Sequence, residues 1–189
     1  MRIDRSDITI SNGLSLVRLF LAIPFWLLLD NFHDQNIRII LILLGVVVAF
    51  TDWADGFFAR KFNQVTEAGK IIDPLADKIC AGVIIYKLYL IGEIPPVFFF
   101  ILIGRDALIF FGGMLLTKYL GKVLPSNFLG KITVTFIAIY IFMICFTIDK
   151  SSFPYLFVYY LIIFLSFLSL IAYGIRAAEF IKKKNNGPI

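Results

Sequence analysis

Long apolar runs alternate with short polar connections along the chain. A helix that crosses a bilayer needs about 20 mostly apolar residues, and six stretches meet this requirement approximately. They are Gly13–Leu29, Ile37–Asp55, Ile71–Ile91, Pro96–Thr117, Phe128–Ile148 and Tyr155–Arg176. No repeat, low-complexity tract or polar linker interrupts them. The pattern therefore predicts an all-α integral membrane protein with six transmembrane helices in one domain, residues 1–189.

The composition favours the same class of protein. Of the 189 residues, 60% are hydrophobic and 16% are charged, whereas a soluble domain is about half apolar and about a quarter charged. The formal net charge of +5 comes from basic residues beside the apolar runs, where they suit contact with anionic membrane lipids. We find no nucleic-acid-binding motif, and we expect no nucleic-acid partner.

The distribution of lysine and arginine predicts the orientation, because cytoplasmic connections carry an excess of these residues. One set of connections, with both termini, carries most of the basic residues, and the opposite connections carry only Arg38 and Lys150. We therefore expect both termini and the "RKFNQVTEAGK" connection to face the cytoplasm of a multi-pass cell-membrane protein. Four basic residues remain inside the predicted spans, and these are Arg18, Lys78, Lys87 and Arg105.

Two aspartate pairs lie where the second predicted span ends and the third begins. Asp52 and Asp55 are three residues apart, and Asp73 and Asp77 are four apart, so each pair shares one face of a helix. Four carboxylates near hydrocarbon need compensating positive charge, which Arg60, Lys78 or bound cations could supply. Clustered carboxylate oxygens are the ligands that Mg²⁺ or Mn²⁺ prefers. The alternative interpretation is that these aspartates only form a solvated helix edge.

Small and basic residues around the aspartates indicate what else binds there. Gly56 and Ala59 leave space beside the second span, and Gly69 leaves space at the start of the third. Arg60 offers a planar fork of donors that suits phosphate oxygens. A divalent metal, an arginine and open space together suggest a diphosphate ligand.

The stretch reads D-x2-D-G-x2-A-R-x8-G-x3-D-x3-D from Asp52 to Asp77. It resembles the signature of the CDP-alcohol phosphatidyltransferases at all eight fixed positions. A second stretch, "SNGLSLVR", is similar to the family's N-terminal Pro-Asn-x-x-Ser/Thr-x-x-Arg stretch, with Ser11 in place of the proline.

This resemblance implies a six-helix membrane enzyme, a homodimer, whose site opens to the cytoplasm. The hydroxyl of an acceptor alcohol attacks the lipid-side phosphorus of CDP-diacylglycerol, and CMP leaves. The resemblance also implies two ions, Mg²⁺ or Mn²⁺. Asp52, Asp55 and Asp73 would hold one ion, and Asp52, Asp73 and Asp77 the other. Asp77 would in addition be the general base.

The resemblance further implies that Gly56 and Arg60 contact the CDP-lipid. Two other residues are weaker candidates for the nucleotide. Thr66 could hydrogen-bond it, although a loop threonine is more often only solvated. Asn12 could contact the cytidine, with an ordinary helix-capping role as the alternative.

Three cations on three spans are candidates for an acceptor-binding pocket. Arg105 lies deep in the fourth span, Lys131 at the start of the fifth and Arg176 at the end of the sixth. Together they suit a small phosphorylated alcohol, which favours glycerol 3-phosphate and the product phosphatidylglycerophosphate. Phosphatidylglycerol, as in cardiolipin synthases, is the close alternative, followed by inositol phosphate and then serine. A structural pairing of Arg105 with Asp106 or with the aspartate cluster is the competing interpretation.

Two other classes of protein also place aspartates in membranes. Prenyltransferases use two well-separated aspartate motifs without the Gly-x2-Ala-Arg insert. A divalent cation transporter should carry acids near the bilayer midplane on broken helices, whereas these aspartates lie at the predicted cytoplasmic edge. We therefore favour the phosphatidyltransferase, with the transporter as the non-enzymatic alternative.

Overall fold

The computed structural model describes residues 10–62, 69–120 and 128–185, and within these ranges the regular structure is helical. One short 3₁₀ turn, Leu29–Asn31, follows the first helix. The helices are α1 (Ile10–Leu28), α2 (Gln35–Phe62), α3 (Gly69–Leu90), α4 (Pro96–Leu120), α5 (Phe128–Cys145) and α6 (Phe153–Asn185). Each predicted span falls on one of these helices, so the all-α prediction is confirmed.

Within the described residues, three helices are long and apolar enough to cross a membrane, by length and composition. They are Pro96–Tyr119 in α4, Phe128–Cys145 in α5 and Phe153–Lys184 in α6. A shorter apolar helical stretch, Gln35–Thr51, begins α2. These apolar helices identify a membrane protein, while the full six-span crossing stays a prediction.

The chain divides into two compact units, Met1–Ile94 and Pro95–Ile189. In the first unit, α1 packs against both α2 and α3, and its buried side chains include Ala22 and Phe25. In the second unit, α6 packs against both α4 and α5. In each unit one helix therefore contacts the two others.

An aromatic cluster fills part of the core of the second unit. The ring of Phe98 on α4 lies 4.9 Å from that of Tyr140 on α5 and 4.7 Å from that of Tyr159 on α6, between centroids. The buried hydroxyls of Tyr140 and Tyr155 are 2.8 Å apart and hydrogen-bond each other. This bond satisfies two polar groups that burial would otherwise penalise.

Many large apolar side chains are exposed on the described helices. They include Phe20 on α1, Phe50 on α2, Leu115 on α4 and Phe164 on α6. Such extensive apolar surface is unusual for a protein in water, but it is the ordinary outer surface of a protein in lipid.

The basic residues within the apolar runs are mostly inside the protein. Arg18 is 2% exposed, Lys87 7% and Arg105 5%, and Lys78 is partly exposed. Ionisable side chains at membrane depth face protein or a cavity because contact with hydrocarbon is costly. Each of these burials therefore marks a place where polar groups meet inside the structure.

Lys87 ties the end of α3 to the end of α1. Its Nζ lies 2.5 Å from Oδ1 of Asp30, in the 3₁₀ turn. The same Nζ lies 4.4 Å from the centre of the Trp26 ring. The lysine side chain is 9% exposed and that of the aspartate 57%. The buried cation is therefore compensated by a carboxylate that water or headgroups can also reach.

This difference in exposure predicts unequal effects of removing the two partners. Asp30→Ala leaves the buried ammonium of Lys87 without its carboxylate, and we expect it to destabilise the protein by about 1–2 kcal/mol. Lys87→Met leaves only a solvated aspartate and should cost less. Thermal unfolding of the purified protein in detergent checks this, with the double variant as control. Equal losses in both single variants would contradict the proposed asymmetry.

Candidate active site

The first aspartate pair lies on α2. This helix continues to Phe62, so Asp52, Asp55, Gly56 and Arg60 are all helical. Asp52 and Asp55 share a face because they are three residues apart, and Gly56 and Arg60 share one because they are four apart. The buried residue between the aspartates, Ala54, is small. A small buried side chain allows another helix backbone to approach closely.

The second aspartate pair lies near the start of α3. The helix begins at Gly69, which makes Asp73 its fifth residue and Asp77 its ninth. Ala76, directly before Asp77, is buried. The predicted helical register of both pairs is therefore confirmed for the backbone. The side chains of the four aspartates and of Arg60 lie outside the described part of the structure.

The backbone is described for only one of the two candidate nucleotide-binding residues. Thr66 lies outside the described residues. Asn12 is the third residue of α1, which begins at Ile10. The side chain of Asn12 lies outside the described part of the structure, so the capping role stays the alternative. The contact of Asn12 with a nucleotide stays a prediction.

The donor set of the signature fits a divalent ion. Four carboxylates supply hard oxygen ligands, which suit Mg²⁺ or Mn²⁺ rather than softer metals. Among the side chains that the structure describes, no group of three or more His, Cys, Asp or Glu could hold a metal ion. The side chains of the four signature aspartates are not among those described, and these aspartates stay the predicted ligands of the ions.

Arg18 is a buried cation on α1, the helix that packs against both aspartate-bearing helices. Its helix, α1, contacts both α2 and α3, and the guanidinium belongs to the "SNGLSLVR" stretch. Sequence reasoning assigned the compensating charge to Arg60, Lys78 or bound cations and did not consider Arg18. An arginine within an apolar run was the available signal.

Arg105 lies where the three helices of the second unit meet. Its Nε donates to Oγ of Ser169 on α6 at 3.1 Å. Its Nη2 donates to the carbonyl oxygen of Gly130 on α5 at 3.4 Å. Its Nη1 donates to Oδ1 of the neighbouring Asp106 at 2.5 Å. The predicted pairing with Asp106 is therefore present, and the same guanidinium also contacts two other helices.

The other two candidate acceptor-binding cations lie on the helices that Arg105 contacts. Lys131 directly follows Gly130 on α5, and its side chain is exposed. Arg176 is partly exposed on α6, seven residues after Ser169. Seven residues are nearly two helical turns, about 10 Å along the axis, so Arg176 and Ser169 share a face. Lys131 therefore directly follows the residue of α5 that contacts Arg105. Arg176 lies about two turns beyond Ser169, the residue of α6 that contacts Arg105.

Sequence reasoning missed three buried polar side chains on α5 and α6, one of which, Ser169, contacts Arg105. Thr133 on α5 and Ser169 on α6 are 0% exposed, and Ser166 on α6 is 1% exposed. The two serines stand three residues apart in the apolar run "FLSFLSL". Two polar residues on one face of an apolar helix were the signal that could have found them.

The fold and the site define a class of protein: an α-helical membrane protein that carries an aspartate-rich phosphotransfer signature across two consecutive helices. The family model described as CDP-alcohol phosphatidyltransferase matches residues 8–173. The chain belongs to the CDP-alcohol phosphatidyltransferase family, and the resemblance predicted from the signature is confirmed.

Several relatives carry the same name, CDP-diacylglycerol–glycerol-3-phosphate 3-phosphatidyltransferase. The chain is 37% identical to the Aquifex aeolicus protein over 134 residues, which cover 69% of this chain and 71% of the relative. It is 32% identical to the Rickettsia bellii protein over 153 residues, covering 80% and 81%. It is 37% identical to the Bacillus subtilis protein over 90 residues, covering 48% and 46%.

Proposed function

We propose that the chain transfers the phosphatidyl group of CDP-diacylglycerol to glycerol 3-phosphate, forming phosphatidylglycerophosphate and CMP. The observation that carries this proposal is the eight-position signature on α2 and α3, in a chain related over most of its length to transferases of that name. That shared name favours glycerol 3-phosphate over phosphatidylglycerol, inositol phosphate and serine as the acceptor.

The proposed enzyme has six transmembrane helices, with both termini and the active site on the cytoplasmic side. The excess of lysine and arginine on one set of connections supports this orientation. With 33 residues, α6 is about 50 Å long, whereas the hydrocarbon core is about 30 Å thick. Its last turns, which carry Lys182, Lys183 and Lys184, would therefore project into the cytoplasmic headgroup region. We also propose a homodimer, which the family resemblance implies.

In the proposed reaction the four aspartates hold two divalent ions, and Asp77 accepts a proton. When bound, such ions neutralise charge on the diphosphate and on the departing CMP. The acceptor's hydroxyl oxygen forms a new bond to the lipid-side phosphorus, its proton passes to Asp77, and the bond from that phosphorus to the CMP oxygen breaks. Asp52, Asp55 and Asp73 contribute only ligand oxygens in this scheme.

The donor lipid is bound by residues around the aspartates. Gly56 leaves space for the diphosphate next to the α2 backbone, and Arg60 donates to its oxygens with a planar fork. Thr66 and Asn12 are the candidate contacts to the cytidine. The two acyl chains remain in the bilayer, in contact with the apolar outer surface.

The acceptor's phosphate is bound in the second unit by Arg105, Lys131 and Arg176. Three contacts of Arg105 are described, to Ser169, Gly130 and Asp106. A guanidinium has five N–H groups, so these contacts leave donors available for an anion. Lys131, whose side chain is exposed, follows Gly130 on α5 and would bind the same anion.

Arg105→Ala tests this acceptor pocket. We expect the Michaelis constant for glycerol 3-phosphate to rise by about tenfold or more, because charge-assisted hydrogen bonds to the phosphate are lost. The constant for CDP-diacylglycerol should stay within about twofold. Steady-state CMP release with each substrate varied in turn provides the measurement. Lys118→Ala, at the end of α4, is the control, and an unchanged acceptor constant in Arg105→Ala would remove Arg105 from the pocket.

The proposed function itself is tested by product identification. Purified protein is incubated with CDP-diacylglycerol, glycerol 3-phosphate and Mg²⁺ or Mn²⁺, and the lipids are analysed by mass spectrometry. We expect phosphatidylglycerophosphate in an amount equal to the CMP released. Release of CMP with phosphatidic acid as the lipid product would instead indicate hydrolysis.

A further inference from the structure

The hydroxyl of Ser169 is fixed in direction by two contacts. It donates to the backbone carbonyl oxygen of Ser166 at 2.9 Å, so its lone pairs are left to accept from Nε of Arg105 at 3.1 Å. Ser169 is completely buried, and Arg105 is 5% exposed. A buried serine on α6 thus accepts a hydrogen bond from Nε of a buried guanidinium on α4.

The terminal nitrogens of Arg105 are held from two other directions. Nη2 donates to the Gly130 carbonyl oxygen on α5, and Nη1 donates to Asp106. With Nε occupied as well, one N–H on each terminal nitrogen remains outside these described contacts. The three contacts fix the plane of the guanidinium and therefore the direction of those remaining donors.

Gly130 on α5 lies directly beside this guanidinium. A Cβ atom added at Gly130 would lie 3.2 Å from Nη2 of Arg105, which is tighter than ordinary van der Waals contact. A Cβ atom added at Gly104, directly before Arg105, would meet nothing within 4 Å. A side chain at residue 130 would therefore require Nη2 of Arg105 to shift by a few tenths of an ångström, whereas one at residue 104 would enter open space.

We propose that Ser169 and Gly130 are positioning residues for the acceptor, acting through Arg105. Neither residue needs to touch the substrate. Ser169 fixes the guanidinium plane from α6, and Gly130 provides both a carbonyl acceptor and the space in which Nη2 lies. This inference rests on the proposed function, because the acceptor's phosphate is the ligand proposed for the remaining donors.

The first test compares Ser169→Ala with Ser166→Ala. Both serines are buried on α6 and lose only one oxygen atom, but Oγ of Ser166 has no hydrogen-bond partner in the described part of the structure. We expect Ser169→Ala to raise the Michaelis constant for glycerol 3-phosphate by about tenfold, the effect of losing one hydrogen bond to a charged group. Its kcat and its constant for CDP-diacylglycerol should stay within about twofold. Ser166→Ala should match the wild type in all three constants.

The second test compares Gly130→Ala with Gly104→Ala. Each variant adds one methyl group within a helix, where alanine is favoured over glycine. We expect Gly130→Ala to raise the acceptor constant several-fold, because the new methyl group displaces Nη2 from its position. Gly104→Ala should leave that constant unchanged. If Ser169→Ala does not fold, the two glycine variants still test the same inference independently.

The outcomes separate the inference from the proposed function. If the wild type uses glycerol 3-phosphate but Ser169→Ala behaves as Ser166→Ala does, the positioning role is overturned and the function stands. An equal rise in the constants for both substrates would indicate general loosening of the second unit and would also overturn the role. If the wild type does not use glycerol 3-phosphate at all, both proposals fail. A selective rise in Ser169→Ala and Gly130→Ala supports the role.

Discussion

Asp77→Asn is expected to lower the rate of phosphatidyl transfer by about 10²–10⁴-fold, the usual contribution of a general base. Asparagine has nearly the shape of aspartate and keeps one oxygen, but it cannot take up the proton of the acceptor's hydroxyl at neutral pH. Binding of CDP-diacylglycerol should stay nearly unchanged, because Asp77 is proposed to be one ligand of one ion only. Single-turnover CMP release and equilibrium binding of labelled CDP-diacylglycerol measure the two quantities separately.

Asp34→Asn is the matched control for this substitution. The carboxylate of Asp34 accepts a hydrogen bond from the backbone N–H of Asn36 at the start of α2, and asparagine serves equally well in that role. This variant should therefore keep full activity. Wild-type turnover in Asp77→Asn would refute the assignment of Asp77 as the base. An equal loss of lipid binding would move Asp77 into the donor-binding role instead.

Asp52→Ala is expected to lower activity by about 10³-fold or more, because Asp52 and Asp73 are the two aspartates proposed to bind both ions. Several kcal/mol of charge stabilisation in the transition state depend on those ions. Chelation of divalent cations should abolish turnover of the wild type, and added Mg²⁺ or Mn²⁺ should restore it. In Asp52→Ala the concentration of metal needed for half of the remaining activity should rise.

The control for Asp52→Ala is Glu179→Ala, which removes an exposed carboxylate from α6. It should leave both the rate and the metal requirement unchanged. Full wild-type turnover in the presence of a strong chelator would contradict the metal-dependent scheme. An unchanged metal requirement in Asp52→Ala would remove this residue from the ion-binding set.

The positions of the helices could be predicted from hydropathy, but their ends could not. Hydropathy falls where charged residues begin, whereas backbone hydrogen bonds continue. For this reason α2 reaches Phe62 and α6 reaches Asn185, beyond the predicted ends at Asp55 and Arg176. The opposite occurs at α5, which ends at Cys145 rather than Ile148. There the apolar run continues, but Thr147 adopts a φ of 51°, a left-handed conformation that ends a helix.

The aspartate signature could be predicted because its chemistry is concentrated in one short stretch. Spacings of three and four residues are enough to place two carboxylates on one helix face. The supporting contacts could not be predicted, because they join distant parts of the chain. Arg105 and Ser169 are 64 residues apart, and Lys87 and Asp30 are 57 apart. The sequence indicates that these buried cations need partners, and only the packing of the helices identifies which residues they are.

Glycerol 3-phosphate is the acceptor with which this protein is proposed to release CMP from CDP-diacylglycerol. The most direct measurement is CMP release by the purified protein with Mn²⁺ and CDP-diacylglycerol, with one acceptor added at a time. Glycerol 3-phosphate, phosphatidylglycerol, inositol phosphate and serine form the set, and a reaction without acceptor is the blank. We predict rapid release with glycerol 3-phosphate and release at the blank rate with the other three. Release with a different acceptor alone would contradict the proposed substrate, and release with none of them would contradict the transferase itself.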